Sequence, residues 1–248
     1  MARWIKHTGC LSCGSRDNLG VYDDGSTFCF GCHAWSKPSD ADKLREFAAH
    51  RFVHAYEPVN SKGEVSVELP LDYTLDIPAG CHNWLTQYLS ASEIKDAKIG
   101  YSPNYKRIIF PVYDRAMKLL LWTGRGGEGV TPKYLTMGLR NFALDVLSAN
   151  QLSDRVVVVE DRVSALVVSR VCSSVALFGS QMPLEWATTL SKAFSGLVMW
   201  LDPDKHKEAL QQAVRLSPYF QRGVKVIFSK DDPKCYNPVE VSRHIGPS

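Results

Sequence analysis

The chain has 248 residues, of which 45% are hydrophobic and 22% charged, a composition that excludes a disordered or fibrous protein. Its formal net charge of +3 excludes a protein that binds nucleic acid through overall charge alone. No apolar run is long enough to span a bilayer, and the N-terminus lacks the apolar stretch of a secretion signal. We therefore expect a cytoplasmic protein with no membrane partner, in which paired cysteines indicate metal ligands rather than disulfides.

Residues 1–35 contain two Cys-x-x-Cys pairs. Their members are Cys10, Cys13, Cys29 and Cys32. Two such pairs at this spacing predict a zinc ribbon, in which four thiolates close a tetrahedral site around one Zn²⁺ ion. A ribbon of this size has almost no hydrophobic core, so we expect the metal to supply its folding free energy.

The next two segments differ in charge. Residues 36–78 are predicted to be a linker with one helix, in the stretch ADKLREFAAHRF at 41–52. Residues 79–152 are predicted to form an α+β subdomain, and within 81–150 nine Lys/Arg face five Asp/Glu. A local basic excess is what a nucleic-acid tract needs, because Lys and Arg contacts to phosphate release counterions. On charge alone, an ordinary solvated surface explains it better.

The last segment, residues 153–248, alternates apolar runs with helical patterns. The runs VVVVE, VALFGS, GLVMWLDPD and VKVIFSKDD predict four buried strands, at 156–160, 175–180, 196–204 and 224–232. Helical patterns follow each of the first three strands. This alternation predicts an α/β fold with a mostly parallel sheet flanked by helices on both faces.

Acidic residues end three of these strands. They are Glu160, Asp202, Asp204, Asp231 and Asp232. Ligand sites of open parallel sheets lie beyond the carboxyl ends of the strands. Converging carboxylates repel one another unless cations lie between them, so Glu160, Asp202 and Asp204 predict a centre for hard divalent cations such as Mg²⁺, two of which could be held in this way. For Asp161, Asp231 or Asp232 taken singly, helix capping or an exposed loop is at least as good an explanation.

Several motifs together are similar to one family. Residues 107–248 resemble the catalytic core of DnaG-type primases, including the primase half of podophage primase-helicases. RIIFPVYDRAMKLLLWTGRGGEGVTPKYLTMG is similar to the family's R-x-x-F-P-x-x-D, G-R and P-K-Y-L series. VVVVED and LDPD resemble the Toprim pattern of a strand-terminal Glu and a later Asp-x-Asp, and SKDDP resembles its late acidic turn. CLSCGSRDNLGVYDDGSTFCFGC is similar to the zinc ribbon of podophage primases.

The resemblance implies a Toprim-like fold and synthesis of short RNA primers on single-stranded DNA from ribonucleoside triphosphates. By motif match, Glu160, Asp202 and Asp204 would be the catalytic, magnesium-binding acids, and Arg125 and Lys133 would bind template or nucleotide. The ribbon would help to select the initiation sequence. No G-x-x-x-x-G-K-[ST] loop is present, so the expected partners include a separate replicative helicase and DNA polymerase, in the host cytoplasm if a phage encodes the protein.

The chain departs from the Toprim pattern after Glu160 and also after Asp-x-Asp, where Lys205 and His206 stand in place of the family's glycine. Asp161 stands where the family has Gly, and Ser164 where it has a second acid. Asp161 could crowd a metal ion or act as a ligand. These changes motivate an alternative: a primase-derived protein that has lost synthesis but still binds single-stranded DNA or a replisome partner. Another Toprim enzyme, a nuclease or topoisomerase, is a third hypothesis, which the P-K-Y-L series disfavours.

The aromatic residues divide into two groups. In the ribbon, side chains that could stack on unpaired bases, although some must form core, are Trp4, Phe28, Phe30 and Trp35. His7 and His33 are candidate base contacts there. In the rest of the chain, the tryptophans that we expect to pack inside the fold are Trp84, Trp122, Trp186 and Trp200.

Overall fold

The computed structural model describes residues 4–10, 12–13, 15–23, 26–36, 67–114, 116–149 and 153–246. They belong to two compact units, Met1–Ser66 and Val67–Ser248. The helix predicted at 41–52 lies outside the described residues. The predicted segment boundaries after residues 35, 78 and 152 remain predictions.

The first unit contains an antiparallel sheet of four short strands in chain order. The strands are β1 Trp4–Thr8, β2 Leu19–Tyr22, β3 Thr27–Cys29 and β4 Trp35–Ser36. Among the described residues of this unit, the buried hydrophobic side chains are three cysteines, against which Leu19 and Ala34 pack. Every residue of β1 is exposed. Sulfur atoms therefore occupy the place of a hydrophobic core, as expected for a metal-dependent ribbon.

The second unit begins with helices that precede an antiparallel sheet. The helices are α1 Ala79–Leu85 and α2 Ala91–Asp96, and the strands in sheet order are β5 Gly100–Ser102, β6 Arg107–Tyr113, β7 Leu119–Gly126 and β8 Tyr134–Gly138. A capping box starts α2, in which Ser90 and Glu93 each bond the other's backbone N–H. Upstream residues join this sheet, because Thr74 pairs with Tyr101.

A second sheet of five strands follows, in the order β13-β12-β10-β11-β9. Its strands are β9 Val146–Leu147, β10 Arg155–Val159, β11 Ser174–Ala176, β12 Gly196–Met199 and β13 Val224–Val226. Four strands are parallel and β9 is antiparallel at one edge. The predicted strands of the last segment are confirmed in type and pairing; β9 was not predicted.

Helices cover both faces of the parallel sheet. They are α3 Arg162–Ser169, α4 Leu184–Leu190, α5 His206–Leu216 and α6 Pro238–Ile245. Alternate residues of β10 point to opposite faces, so Val158 packs in the cluster with α4 and α5 and Val157 packs in the cluster with α3 and α6. Both clusters consist of fully buried side chains. The predicted two-sided burial of the parallel strands is therefore confirmed.

Helix α3 belongs to two cores at once. Ala165 and Val168 pack in one core of the parallel sheet. Val163 and Val167 pack in the cluster that contains Phe110 of β6 and the side chains of α1 and α2. This shared helix joins the two sheets, and its first residue follows the acidic end of β10.

Both edge strands of the parallel sheet are short. Within the edge strand β13, Lys225 Nζ donates hydrogen bonds to the carbonyl oxygens of His244 and Ile245, at 2.8 and 2.7 Å. These carbonyls lie at the C-terminus of α6, where a cation is electrostatically favourable.

Three of the four tryptophans expected in the interior are fully buried: Trp122, Trp186 and Trp200. Trp200 Nε1 donates to Ser229 Oγ at 2.8 Å, and Ser229 Oγ donates to the carbonyl of Asp231 at the same distance. These bonds tie the acidic turn after β13 to the core. Trp84 is only half-buried, but it packs against the hydrophobic cluster that contains Phe110, so its expected packing role is confirmed although its ring is partly exposed. Among the described helices, none has the length and apolarity required to span a membrane.

Candidate functional site

The four paired cysteines converge in the first unit. Their Sγ atoms all lie within 4.8 Å of one another, with Cys10 and Cys32 sulfurs 3.7 Å apart and Cys13 and Cys29 sulfurs 3.6 Å apart. Tetrahedral Zn²⁺ with bonds of about 2.3 Å requires sulfur separations of about 3.8 Å. The donor set and its spacing therefore fit one zinc ion, as the sequence predicts.

Backbone turns hold these thiols in place. Cys10 N–H donates to the carbonyl of Ser15 and Cys29 N–H to that of Ala34, at 2.7 and 2.8 Å. Burial opposes ionisation of Cys29, but N–H groups of Cys32 and Gly31 aimed at its sulfur outweigh this and lower its pKa to about 7. Burial raises the pKa of Cys32, where sulfur neighbours add to the effect. Four thiols at this spacing cannot all ionise without a cation among them.

An aromatic row lies on the same unit. Ring contacts run from Trp4 through His7, Phe30 and Phe28 to His33, with neighbouring ring centroids 5.1 to 5.9 Å apart. Trp4 and Phe30 are each more than half exposed, as is Trp35. Phe28 is half-buried, so one of the four predicted stacking residues is partly core. The row provides planar groups on which unpaired bases could stack.

Two of the predicted acids meet at the carboxyl edge of the parallel sheet. Parallel pairing places Val158 beside Met199, so the ends of β10 and β12 share one edge. Glu160 follows β10, and the N–H of Asp202 donates to Glu160 Oε1 at 3.2 Å. Asp204 lies in the short 3₁₀ turn that follows, its side chain 73% exposed and paired with Lys205 at 3.2 Å.

The electrostatics of this edge favour a bound cation. Burial, together with repulsion from Asp202 and Asp204, raises the pKa of Glu160 to about 7. Burial raises the pKa of Asp202 to about 6, although Lys234 opposes the shift. Oδ1 of Asp202 is buried and accepts no hydrogen bond within the described part of the chain. An oxygen-seeking divalent cation would satisfy this atom and relieve the repulsion.

The departures from the Toprim pattern form a local network. Asp161 is the N-cap of α3, where it accepts hydrogen bonds from the backbone N–H and the hydroxyl of Ser164, at 2.9 and 3.0 Å. The capping explanation offered for Asp161 is thus confirmed. Lys234 Nζ lies 3.0 Å from Asp161 and 2.5 Å from Asp232. No pattern in the sequence predicts that Lys234 is buried.

Acidic and basic groups face one another across a cavity of about 210 Å³. Glu160, Asp161 and Asp202 line one part of it, and Arg125 of β7 lines another. The Arg125 guanidinium lies 4.1 Å from the ring centre of Trp84, and its Nη1 donates to Tyr134 Oη at 2.5 Å. The cation–π contact with Trp84 and the hydrogen bond to Tyr134 hold the guanidinium at this position.

Lys133, the other predicted cation, is exposed and does not line this cavity. Its Nζ lies 5.8 Å from the Tyr134 ring. Its backbone is fixed, because its carbonyl accepts hydrogen bonds from Gly126 N–H and from Nη1 of the buried Arg107, at 2.8 and 3.2 Å. The structure therefore brings Arg125 and the acids together in one cavity, whereas Lys133 lies outside it.

Sequence reasoning missed three of the residues that line the cavity. Trp84 was assigned to packing, Tyr134 was seen only as part of the P-K-Y-L series, and Arg162 was seen only as the start of a helix. Arg162 is buried and pairs with Asp145 at 2.5 Å. The sequence signal for Arg162 is its position directly after the strand-end acids, where a first helical turn borders the sheet edge.

Neither a protein-family model nor a curated protein matches the chain. Among solved structures, the zinc-binding and RNA polymerase domains of the Aquifex aeolicus primase match 98% of this chain and 80% of their own, at 17% identity and a TM-score of 0.59. A DnaG catalytic core matches 63% of this chain and 67% of its own, at 19% identity and a TM-score of 0.51. A DnaG primase catalytic domain bound to single-stranded DNA matches 63% of this chain and 66% of its own, at 18% identity and a TM-score of 0.51.

The protein therefore has the fold of DnaG-type primases. The resemblance found in the motifs is confirmed at this level, and the match to the Aquifex aeolicus structure extends over both units. A mixed α/β body with several sheets and a candidate four-cysteine zinc site agrees with the predicted fold class.

We predict one zinc ion per chain, lost on Cys29→Ser substitution, because three thiolates leave one position of a closed tetrahedral site unfilled. Elemental analysis of purified protein measures the zinc. Cys235→Ser is the matched control: Cys235 is exposed and lies outside the cluster, so this variant should keep its zinc. Full zinc retention by Cys29→Ser would contradict the assignment.

The raised pKa values predict how stability depends on pH. A carboxyl whose pKa is higher in the folded protein binds its proton more tightly there, so its contribution to stability is fully present below the unfolded value and is lost as pH rises through the folded value. For Glu160 this window runs from 4.5 to about 7. In magnesium-free buffer, the free energy of unfolding of the wild type should fall across this window relative to Glu160→Gln, as measured by urea denaturation.

A neutral glutamine at position 160 removes the titration while nearly keeping shape. Glu185→Gln alters an exposed carboxylate on α4 and should keep the wild-type profile. Parallel profiles for wild type and Glu160→Gln would show that Glu160 does not titrate in this window.

Proposed function

We propose that this protein is a DNA primase, a nucleotidyltransferase that synthesises short RNA primers on single-stranded DNA for replication. One observation carries the proposal: Arg125, Glu160 and Asp202 line a single cavity in a chain that has a primase fold. Phosphoryl transfer to a growing primer needs a cation-binding group and a phosphate-binding group close together. The cavity supplies both.

Glu160 and Asp202 would hold Mg²⁺ or Mn²⁺, with Asp204 as the third acid by motif match. The fit rests on the buried Asp202 oxygen that lacks a partner in the described residues and on the raised pKa of both inner carboxyls. When bound, a divalent cation there would neutralise the triphosphate and favour ionisation of the attacking hydroxyl.

The chain's own residues would orient the nucleotide. The Asp202 N–H holds the Glu160 carboxylate, so both acids keep a fixed position at the sheet edge. The planar guanidinium of Arg125 is suited to paired hydrogen bonds with phosphate oxygens, and its contact with the Trp84 ring helps to hold it in the cavity. In this arrangement the 3′-oxygen of the primer forms a bond to the α-phosphorus while the bond to the leaving pyrophosphate breaks.

The zinc ribbon would contribute to template recognition. Its exposed Trp4 and Phe30 offer stacking surfaces for unpaired bases, and His7 lies between them. One structure of similar fold is a DnaG catalytic domain bound to single-stranded DNA, which supports single-stranded DNA as the template here. A separate replicative helicase and DNA polymerase would be the partners.

The second candidate function is a primase-derived protein that binds DNA or a replisome partner without synthesis. Asp161 favours it, because this carboxylate lines the cavity where nucleotide phosphates would approach. Against it, Lys234 and Ser164 bind Asp161 and reduce its repulsion toward phosphate. A primer-synthesis assay on random single-stranded templates, with labelled ribonucleotides and Mg²⁺ or Mn²⁺, separates the two candidates.

We expect Asp202→Asn to reduce primer synthesis by about a hundredfold or more, a size typical of losing an electrostatic group at a reaction centre. Its zinc content and cooperative unfolding should remain, because the amide nearly keeps the shape of the carboxylate. Asp231→Asn, at an exposed acid of the neighbouring turn, should prime like the wild type. If wild type makes no primers with either metal while still binding DNA, the non-catalytic candidate replaces the first.

We expect Arg125→Ala to weaken nucleotide or template engagement, with Lys133→Ala weaker in effect because Lys133 lies outside the cavity. Fluorescence anisotropy with a single-stranded oligonucleotide at several salt concentrations measures template affinity, and the KM for ribonucleotides measures the nucleotide. Affinity should fall with salt, since phosphate contacts release counterions. If both variants behave like the wild type, the proposal that these basic residues bind template or nucleotide is wrong.

A further inference from the structure

Lys234 is a buried cation that the proposed chemistry does not use. It lies in the 3₁₀ turn Pro233–Cys235, which follows β13, and its side chain is only 7% exposed. A lysine is seldom buried to this extent unless its charge is paired. Here two carboxylates pair with it, Asp161 after β10 and Asp232 before the turn. The lysine therefore bridges two of the strand ends at which acids collect.

These contacts occupy the oxygens of Asp161. Its Oδ1 accepts the N–H of Ser164, and its Oδ2 accepts both the Ser164 hydroxyl and the Lys234 ammonium. A carboxylate offers about four acceptor positions, so little capacity remains for a metal ion. A cation that bound Asp161 would have to displace Lys234 and loosen the cap of α3.

Asp202 and Glu160 present the opposite case. Oδ1 of Asp202 is buried and accepts no hydrogen bond from any described residue, and Oε1 of Glu160 accepts the Asp202 N–H. The acids at this edge therefore divide into two sets. The acids of one set are already paired with a lysine, and the other set carries an unsatisfied oxygen.

We propose that Lys234 takes the place of one divalent cation at this sheet edge, so that the site loads a single metal ion, at Glu160 and Asp202. The inference rests on the proposed function, because it concerns the metal centre of the same cavity. Asp161, at the position where the Toprim pattern has glycine, would act as the partner that fixes this internal cation. Lys234 is thus a positioning residue.

Manganese binding tests the inference without DNA or nucleotide. Zinc-loaded, full-length protein is titrated with Mn²⁺, and electron paramagnetic resonance measures the free ion. The wild type should bind one Mn²⁺ per chain. Lys234→Met should bind two, because Asp161 and Asp232 lose their counterion and become ligands for a second ion. Lys234→Arg keeps the charge and should stay at one, as should Lys192→Met, which removes an exposed lysine.

Each other outcome overturns the inference. Two ions in the wild type, or one ion in folded Lys234→Met, would show that Lys234 does not substitute for a metal. If Lys234→Met loses the wild-type circular dichroism spectrum, Lys234→Gln, which keeps a donor for Asp161, is judged by the same count. No bound Mn²⁺ in the wild type would overturn the proposed metal centre as well, whereas two ions in a protein that makes primers would overturn only this inference.

Discussion

The repulsion among carboxylates at one sheet edge is the constraint on which the site depends. Parallel pairing of β10 with β12 places their carboxyl ends at the same edge of the sheet. Glu160 and Asp202 are thereby held 3.2 Å apart, measured from the Asp202 nitrogen to Glu160 Oε1. Burial in the first place, and repulsion from neighbouring acids in the second, raise the pKa of both residues, so the ionised acids destabilise the fold when no cation is bound. The buried Lys234 beside them offsets part of this repulsion.

The shared helix α3 explains why the acids face a cation from the other sheet. Its residues Val163 and Val167 are part of the core beneath β6, and Ala165 and Val168 are part of the core of the parallel sheet. Since β7 pairs with β6, Arg125 is held by the same sheet. The cavity is therefore formed by two sheets joined through one helix. Arg125 lies on a strand, whereas Glu160 and Asp202 lie in the loops just after strands whose positions are fixed by packing.

Much of this arrangement was accessible from the sequence. Cysteine spacing predicted the four-thiol cluster because ligand pairs two residues apart can form only tight turns. The apolar runs predicted the parallel strands, and their acidic ends predicted which residues meet. The structure confirms the cluster and the strand pairing, while the roles of Glu160, Asp202 and Asp204 stay predictions.

The remainder depends on contacts between distant positions. Lys234 and Asp161 are 73 residues apart, and no local pattern marks a lysine that will be buried by another strand's end. Trp84 has the same apolar surroundings in sequence as a core tryptophan, yet a strand 40 residues later places Arg125 on its ring. Periodicity describes which face of an element is buried but not which charged group will reach it.

The short edges of the parallel sheet carry a consequence for the protein in the cell. An open sheet ends in unpaired backbone groups that can pair with strands of other molecules. Here β9 contributes two residues and β13 three, and the side chain of Lys225 in β13 is hydrogen-bonded to the C-terminal end of α6. Neither edge offers a long, flat template, so the apolar strands between them can be strongly hydrophobic without promoting self-association into fibres.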